Sequence, residues 1–580
     1  MNRKQTIKKS PNTQKDRRCF TRKLYAGNHC LFVAAIITGA LVNSINLVLS
    51  VMMQKILDAA SGVGDSLQSL GIGCAAIILG FLLIFEIFRR ARAGFIRRAM
   101  TQYKEFVFGE LTRKSIGTFS AENTSTYISA LTNDTASIQS NYLENTFELL
   151  GQLISFFGSI ALMLWYSPIL TLVSILLSLL PMILSILTSG NLPALEQQVS
   201  TQNETFVGTI KDLLGGFSVI KSFKAEAQVQ KLFCSENNQL ESTKARRFLK
   251  AERIKMFSIA AMLISQLGIF LVAAHLAING KITAGVVIVF VQLMAMILQP
   301  VGTLPKLIAD RKAALALIDK ISGALAQNTM DEEGKLRIPA KLSEGIRVNH
   351  LGFSYEENEA VLQNLNMEFR AGKSYAIVGN SGSGKSTLLN LLSGNSMQYD
   401  GEIYYDGNEL RNIHTDTLYE LLAIVQQNVF IFNDTIRNNV TMFKDFPEER
   451  IEEALRQSGL SALIAQKGGD YICGENGNAL SGGEKQRISI ARALLNNAPV
   501  LLMDEATAAL DAVTAAAVMG SILDIEDLTR ILVTHRLEET LLSRCDEILV
   551  MHGGQLAERG SFAELMKRQG LFYSLYMVAQ

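Results

Sequence analysis

The sequence predicts two parts in series: an α-helical membrane domain with six transmembrane helices, followed by an α/β P-loop domain that binds a nucleotide. Three observations predict this. Runs of about 20 apolar residues, the length that crosses ~30 Å of hydrocarbon, occur six times before Ile321 and not after it. Beyond that point the pattern changes to short continuous apolar runs, SYAIVG (Ser374 to Gly379), VLLMDE (Val500 to Glu505) and RILVTH (Arg530 to His535), which have the length and composition of strands buried on both faces. The first of them leads into GNSGSGKS, Gly379 to Ser386, which matches the phosphate-binding pattern G-x-x-x-x-G-K-[ST].

The membrane spans are Leu31 to Met53, Leu67 to Phe88, Phe147 to Trp165, Ile169 to Leu187, Met256 to Ile278 and Ala284 to Leu307. Short segments such as WYSP (Trp165 to Pro168) and NGKITAG (Asn279 to Gly285) join them in pairs, whereas the second-to-third and fourth-to-fifth connections are long and polar. Arg89, Arg90, Arg92, Arg97, Arg98, Lys211, Lys221, Lys224, Arg246 and Arg247 fall in the long connectors; the short ones offer only Lys55 and Lys281. The positive-inside rule therefore puts the long connectors, the N-terminus and the nucleotide-binding domain in the cytoplasm, and Trp165 and Tyr166 at the outer interface, with simple packing an equal alternative for these two aromatics. The chain is expected to be an integral multi-pass membrane protein, of a bacterial plasma (inner) membrane.

Net charge is +1, yet the first 28 residues carry Arg3, Lys4, Lys8, Lys9, Lys15, Arg17, Arg18, Arg22 and Lys23 against the single acid Asp16. Apolar sequence follows at once, so the arm reads as a cytoplasmic anchor at the membrane lipid, and no nucleic acid is expected as a partner. Cys19, Cys30, Cys74, Cys234, Cys473 and Cys545 lie far apart, which points away from a zinc cluster or a disulfide framework. The expected domains are a basic arm over 1–28, the membrane domain over 29–325, a polar linker over 326–345 containing DEEGK, and the nucleotide-binding domain over 346–580.

The P-loop comprises Gly379, Asn380, Ser381, Gly382, Ser383, Gly384, Lys385 and Ser386, and Thr387 follows in the apolar helix it opens. Its glycines let the backbone wrap phosphates, so that successive N–H groups and a helix N-terminus face negative charge. Lys385 is expected to neutralise the β and γ phosphates of the nucleotide, and Ser386 to ligate Mg²⁺. Asp504 and Glu505 end the second strand. Such pairs are often merely solvated, but beside a P-loop the first is placed to hold Mg²⁺ and the second to polarise the attacking water. His535, beyond the third strand, is expected to reach the γ-phosphate.

With these motifs in order, the chain resembles an ATP-binding cassette (ABC) transporter of the exporter type, a type IV half-transporter with one membrane domain fused to one nucleotide-binding domain. LSGGEKQR (Leu480 to Arg487) is similar to the family signature, Tyr355 to the residue that stacks on adenine, and Gln427 to the glutamine that senses Mg²⁺ and the membrane domain. GENG (Gly474 to Gly477) sits at the X-loop position, and AALD, ending in Asp511, resembles the D-loop. The resemblance implies catalytic roles for Glu505, His535 and Gln427. It implies further that Ser481, Gly482 and Gly483 cover the ATP of a second ABC half-transporter, a homodimer being favoured and a heterodimer possible. Coupling helices are expected at Ile116 to Tyr127 and Val207 to Phe217.

Asn43, Asn46 and Ser50 share one face of the first span, and Gln292 and Gln299 one face of the sixth. They are candidates for the substrate path, with helix–helix adhesion the favoured alternative. Few ionisable groups lie within the spans, which favours an amphipathic, lipid-like, drug or neutral peptide cargo. Glu484 stands where the signature usually has glutamine, and Ala508 where the D-loop usually has serine. An importer on the same scaffold, or a non-transporting ATP-gated regulator, are the rival readings.

Overall fold

The structure, a computed structural model, describes residues 13–62, 66–114, 116–121, 124–326, 334–355 and 360–579. Arg3, Lys4, Lys8 and Lys9 of the basic arm and residues 327–333 of the expected linker lie outside the described residues. The chain divides into two compact units: Met1–Lys114 with Glu122–Asn328, and Ser115–Ala121 with Thr329–Gln580.

The first unit is helical. After α1 (Thr13–Tyr25) come α2 (His29–Ala60) and α3 (Leu67–Thr112). Two π-helical segments, Ala130–Asp134 and Gln139–Glu144, lead into α4 (Asn145–Tyr166). Then follow α5 (Pro168–Ser189), α6 (Leu192–Gly215), the short α7 (Phe217–Ser222), α8 (Glu226–Ile278) and α9 (Ala284–Ala326). Among the described residues, six helices are long and apolar enough to cross a membrane. Several outrun the expected spans: α3, α8 and α9 have 46, 53 and 43 residues, against the ~20 that hydrocarbon requires. Local chemistry sets the helix starts. Ser66 caps α3 by accepting from Ser69 N, and Ser167 caps α5 by accepting from Leu170 N, with Pro168 in the first turn where its missing N–H costs nothing.

One apolar core joins Phe290, Leu293 and Met294 of α9 to Met163, Leu170, Ile269 and Ala273. A second joins Phe20 and Leu24 of α1 to Phe95, Tyr103, Phe147 and Ile318. At the start of α9, Asp58 of α2 accepts from Gly285 N at 3.2 Å, from Thr283 Oγ1 at 3.2 Å and from Gln54 Nε2 at 3.1 Å. Tyr166 donates to Gln54, so α2, α4 and α9 are tied together there, while Trp165 is exposed. Asn43 donates to Gly39 O at 2.8 Å and packs against Gly151; Ser50 is buried and donates to Asn46 O at 2.8 Å. Both hydrogen bonds lie within α2, and the approach to Gly151 brings Asn43 against α4.

The expected second coupling segment, Val207 to Phe217, is not a separate helix. Helix α6 continues through it to Gly215, and the short helix lies one step later, at Phe217–Ser222. The Gly215-Gly216 pair supplies the break, since glycine is a weak helix former that bends freely. The first segment contains two short helices, Ile116–Ala121 and Thr124–Ser129.

The second unit is α/β. A small antiparallel sheet of β1 (Gly345–Ser354), β2 (Ala360–Arg370), β4 (Asp400–Tyr405) and β5 (Asn408–Glu409) runs in the order β2-β1-β4-β5. The larger sheet contains β3 (Ser374–Gly379), β6 (Leu422–Val425), β7 (Val500–Asp504), β8 (Thr529–Val533), β9 (Glu547–His552) and β10 (Gln555–Gly560), in the order β10-β9-β3-β8-β7-β6. Strands β6, β7, β8, β3 and β9 are parallel, and only β10 turns back. The three predicted strands are thus consecutive neighbours, with β8 between β3 and β7. All are buried along their length, as their unbroken apolar runs require. Their carboxyl ends therefore bring three motifs to one edge.

Candidate nucleotide-binding site

Strand β3 ends at Gly379, whose φ of 148° and closeness to Met551 O leave no room for a Cβ. The loop closes at Gly384 (φ 93°), where a Cβ would strike Leu362; Gly384 then caps α10 (Lys385–Leu392). Within that bowl the buried Lys385 Nζ donates to Gly379 O at 2.9 Å and to Asn380 O at 2.8 Å, with Ser383 Oγ at 3.4 Å. Burial pushes the Lys385 ammonium below its usual pKa, while Glu505 and Asp504 oppose the shift. A buried cation whose close contacts are two carbonyl dipoles and a hydroxyl gains from an incoming anion, which is what a phosphate supplies.

Ser386 Oγ donates to Asp504 Oδ1 at 3.1 Å. Burial raises the Asp504 pKa, Ser386 counteracts by its hydrogen bond, and Glu505 adds to the rise. This pair of hard oxygen donors fits a small hard cation that takes its remaining ligands from water and phosphate. Glu505 lies one residue past β7 with φ 49°, left-handed backbone that a residue with a Cβ seldom adopts. One carboxylate oxygen lies 2.8 Å from His535 Nε2, and the other accepts from Gln427 Nε2 at 2.9 Å. Thus Gln427, Glu505 and His535, far apart in sequence, form one hydrogen-bonded cluster next to the Ser386–Asp504 pair. Tyr355 is 68% exposed, braced edge-on by Phe353, with its hydroxyl 3.2 Å from Thr387 Oγ1. Its open ring is available for stacking.

The signature stretch forms the start of α11 (Gly482–Asn496). Ser481 caps it by accepting from Glu484 N at 3.3 Å, and Glu484 accepts from Ser481 N at 2.6 Å, a reciprocal capping box. The acid that departs from the usual signature therefore has a structural use, and Lys467 adds a charge partner at 3.4 Å. Burial would raise the Glu484 pKa, but the Ser481 bonds and Lys467 outweigh it, and the net shift is downward. Gly482 and Gly483 press against Ala509 and Leu510, not against the P-loop. Asp511 caps α12 (Ala512–Leu523) by accepting from Thr514 N at 2.9 Å. Within GENG, Asn476 is left-handed and its carbonyl accepts from Lys485 Nζ at 2.9 Å.

Sequence reasoning passed over two residues beside these motifs. Gln486 accepts from Ala509 N at 2.9 Å, and Arg536 donates to Leu510 O at 2.7 Å. Adjacency to the signature and to His535 was the available signal, but neither pairing can be read locally.

A loop of the phosphate-binding pattern beside the Gln427–Glu505–His535 cluster, on a chain with six membrane-length helices among the described residues, points to a membrane-bound nucleotide hydrolase. Comparison with known proteins gives the family. Residues 31–301 match the family model for the ABC transporter transmembrane region, and residues 362–508 match the family model described as ABC transporter. The chain belongs to the ABC transporter family and is an exporter-type half-transporter with ATPase chemistry. It is 29% identical over 572 residues to the ATP-dependent lipid A-core flippase of Photobacterium profundum, covering 96% of each chain. It is 27% identical over 536 residues to the flippase of the same name from Salmonella typhimurium, covering 90% of this chain and 91% of that one. Among solved structures, a bacterial Atm1-family ABC exporter with ATP bound superposes with a TM-score of 0.81 at 24% identity, over 95% of this chain and 99% of that one.

Proposed function

We propose that two copies of this chain form an ATP-driven exporter of an amphipathic, lipid-like substrate in a bacterial inner membrane, with both nucleotide-binding units cytoplasmic. One observation carries the reading. Within a single chain, the P-loop and the Ser481–Gly483 turn hold separate sets of contacts, so the second phosphate-binding turn is left for the ATP of a partner. Each ATP is then cradled by Gly379–Thr387 and Tyr355 of one copy and covered by Ser481, Gly482 and Gly483 of the other. Two identical copies are the simplest assembly, because Lys385, Asp504, Glu505, His535 and Ser481–Gly483 are all present in this chain.

Lys385 balances phosphate charge, and Ser386, Asp504 and Gln427 are the residues that would hold Mg²⁺, which lowers the charge barrier on the phosphates when bound. Glu505 accepts a proton from the attacking water as its oxygen bonds to the γ-phosphorus and the bond to the bridging oxygen breaks, leaving ADP and phosphate. His535 and Gln427 hold the two carboxylate oxygens of Glu505 in place. That cluster favours turnover over a passive sensor. Closure around ATP and release after hydrolysis shift the membrane helices between inward-facing and outward-facing arrangements. The lipid-like cargo is supported by the name of the relatives and by spans dominated by apolar side chains.

The assembly is tested with Ser381→Cys and Ser481→Cys in a background lacking the exposed native cysteines Cys19, Cys30 and Cys234. ATP is expected to promote an intermolecular crosslink between the two positions. Its absence with ATP bound, or full ATPase activity from isolated monomers, overturns the assembly. Stimulation of the reconstituted ATPase by phospholipids, lipid A, drugs, peptides and siderophores tests the cargo; a response to siderophores alone refutes the lipid reading.

A further inference from the structure

Glu505 holds a backbone conformation that persists only where the surroundings over-determine it. Its own N–H donates to Val533 O at 3.1 Å, and its carbonyl accepts from Ala508 N at 3.0 Å. A second turn follows, in which Leu510 N donates to Thr507 O at 3.1 Å. The outer limb of these turns is then fastened from two separate segments of the chain. Gln486, 6% exposed and on α11, accepts from Ala509 N at 2.9 Å. Arg536, next to His535, donates from Nη2 to Leu510 O at 2.7 Å, with Ala508 O at 3.5 Å. Gly483 approaches so closely that a Cβ there would lie 3.1 Å from Ala509 O.

We infer that Gln486 and Arg536 are positioning residues for the catalytic Glu505, and that Gln486 carries the state of the signature turn to it. Helix α11 is continuous from Gly482 through Gln486, so its capped start and its grip on Ala509 move as one body. A ligand over Ser481–Gly483 fixes that body; Ala509 and the turns before it then fix the direction of Glu505. Arg536 closes the loop from the other side, because the neighbouring His535 already touches the Glu505 carboxylate. The consequence is that ATP covered by one chain's signature turn tunes hydrolysis at that same chain's P-loop. The inference rests on the two-copy reading above. It adds a definite route, with a buried amide oxygen as its critical link.

The test uses the full chain in lipid nanodiscs and measures ATPase rate against ATP concentration. Wild type is expected to respond cooperatively, with a Hill coefficient of roughly 1.5–2 for two coupled sites. Gln486→Met keeps the side-chain length but removes the oxygen acceptor. It is expected to lower kcat by roughly 10-fold or more, to bring the Hill coefficient to about 1, and to leave KM within about 3-fold. Gln486→Glu keeps an acceptor oxygen and should recover cooperativity. Arg536→Met attacks the same turn from the other side and should also abolish cooperativity, which provides an independent variant if Gln486→Met does not fold. Wild-type kcat and Hill coefficient in both Met variants overturn the inference, as does a fall in rate with cooperativity unchanged, which marks a merely structural role. If the Ser381–Ser481 crosslink fails, the two-copy reading falls; if it forms and the Met variants stay cooperative, only this inference falls.

Discussion

Replacing Glu505 by glutamine isolates its proposed proton-accepting role from the geometry. In the wild type one carboxylate oxygen faces His535 Nε2 at 2.8 Å and the other accepts from Gln427 Nε2 at 2.9 Å. A glutamine of the same shape can keep both contacts: its amide oxygen accepts from Gln427, and its NH₂ donates to His535 when that ring carries its proton on Nδ1. The backbone turn is untouched, so the fold and ATP binding should survive. What disappears is the ability to take a proton from water. A positioned base is worth about 10² to 10⁴ in rate, or about 3–5 kcal/mol of barrier. Glu505→Gln in nanodiscs should therefore turn over ATP about 10²- to 10⁴-fold more slowly while retaining nucleotide, and the Ser381–Ser481 crosslink should accumulate because closure is no longer relieved. Glu505→Ala, which also abandons His535 and Gln427, should lose at least as much rate. An ATPase rate for Glu505→Gln within about 3-fold of wild type would refute the reasoning and place the base elsewhere.

Four further outcomes are expected. Lys385→Ala removes the buried cation of the P-loop; at about 1.5–3 kcal/mol for charge-assisted hydrogen bonds, the Kd of a fluorescent ATP analogue should rise roughly 10- to 100-fold, and an unchanged Kd would contradict the placement. Glu484→Gln retains a capping box but loses the charge partner Lys467, so ATPase should stay within about 3-fold of wild type. The pH dependence has a definite sign. The folded-state pKa of Glu484 is depressed, so its contribution to stability is present above the unfolded value of about 4.3 and is lost as pH falls through the lower folded value. Thermal unfolding of Glu484→Gln should lack that share of the acid-side loss. Asp58→Ala leaves Gly285 N, Thr283 Oγ1 and Gln54 Nε2 without their acceptor, and should lower the stability of the detergent-solubilised protein by about 1–3 kcal/mol, read as a fall in Tm.

Much of this protein is decided by the order of its residues alone. Six apolar runs must become spans because no other element satisfies its own backbone in hydrocarbon, and the helices observed contain all six. SYAIVG, VLLMDE and RILVTH must be buried strands, and GNSGSGKS must be a tight glycine loop opening a helix, because these follow from hydropathy and glycine spacing within a few residues. Tertiary structure alone decided how the ends of those strands meet. Gln427 reaches Glu505 across 78 residues, Ser386 reaches Asp504 across 118, and Gln486 reaches Ala509 across 23. Helix α6 likewise ran past the expected start of a short helix, because apolar periodicity continued until the Gly215-Gly216 pair interrupted it. Periodicity and propensity act over a few residues. The left-handed turn at Glu505 and the seating of its partners instead depend on hydrogen bonds between segments that only the folded sheet brings side by side.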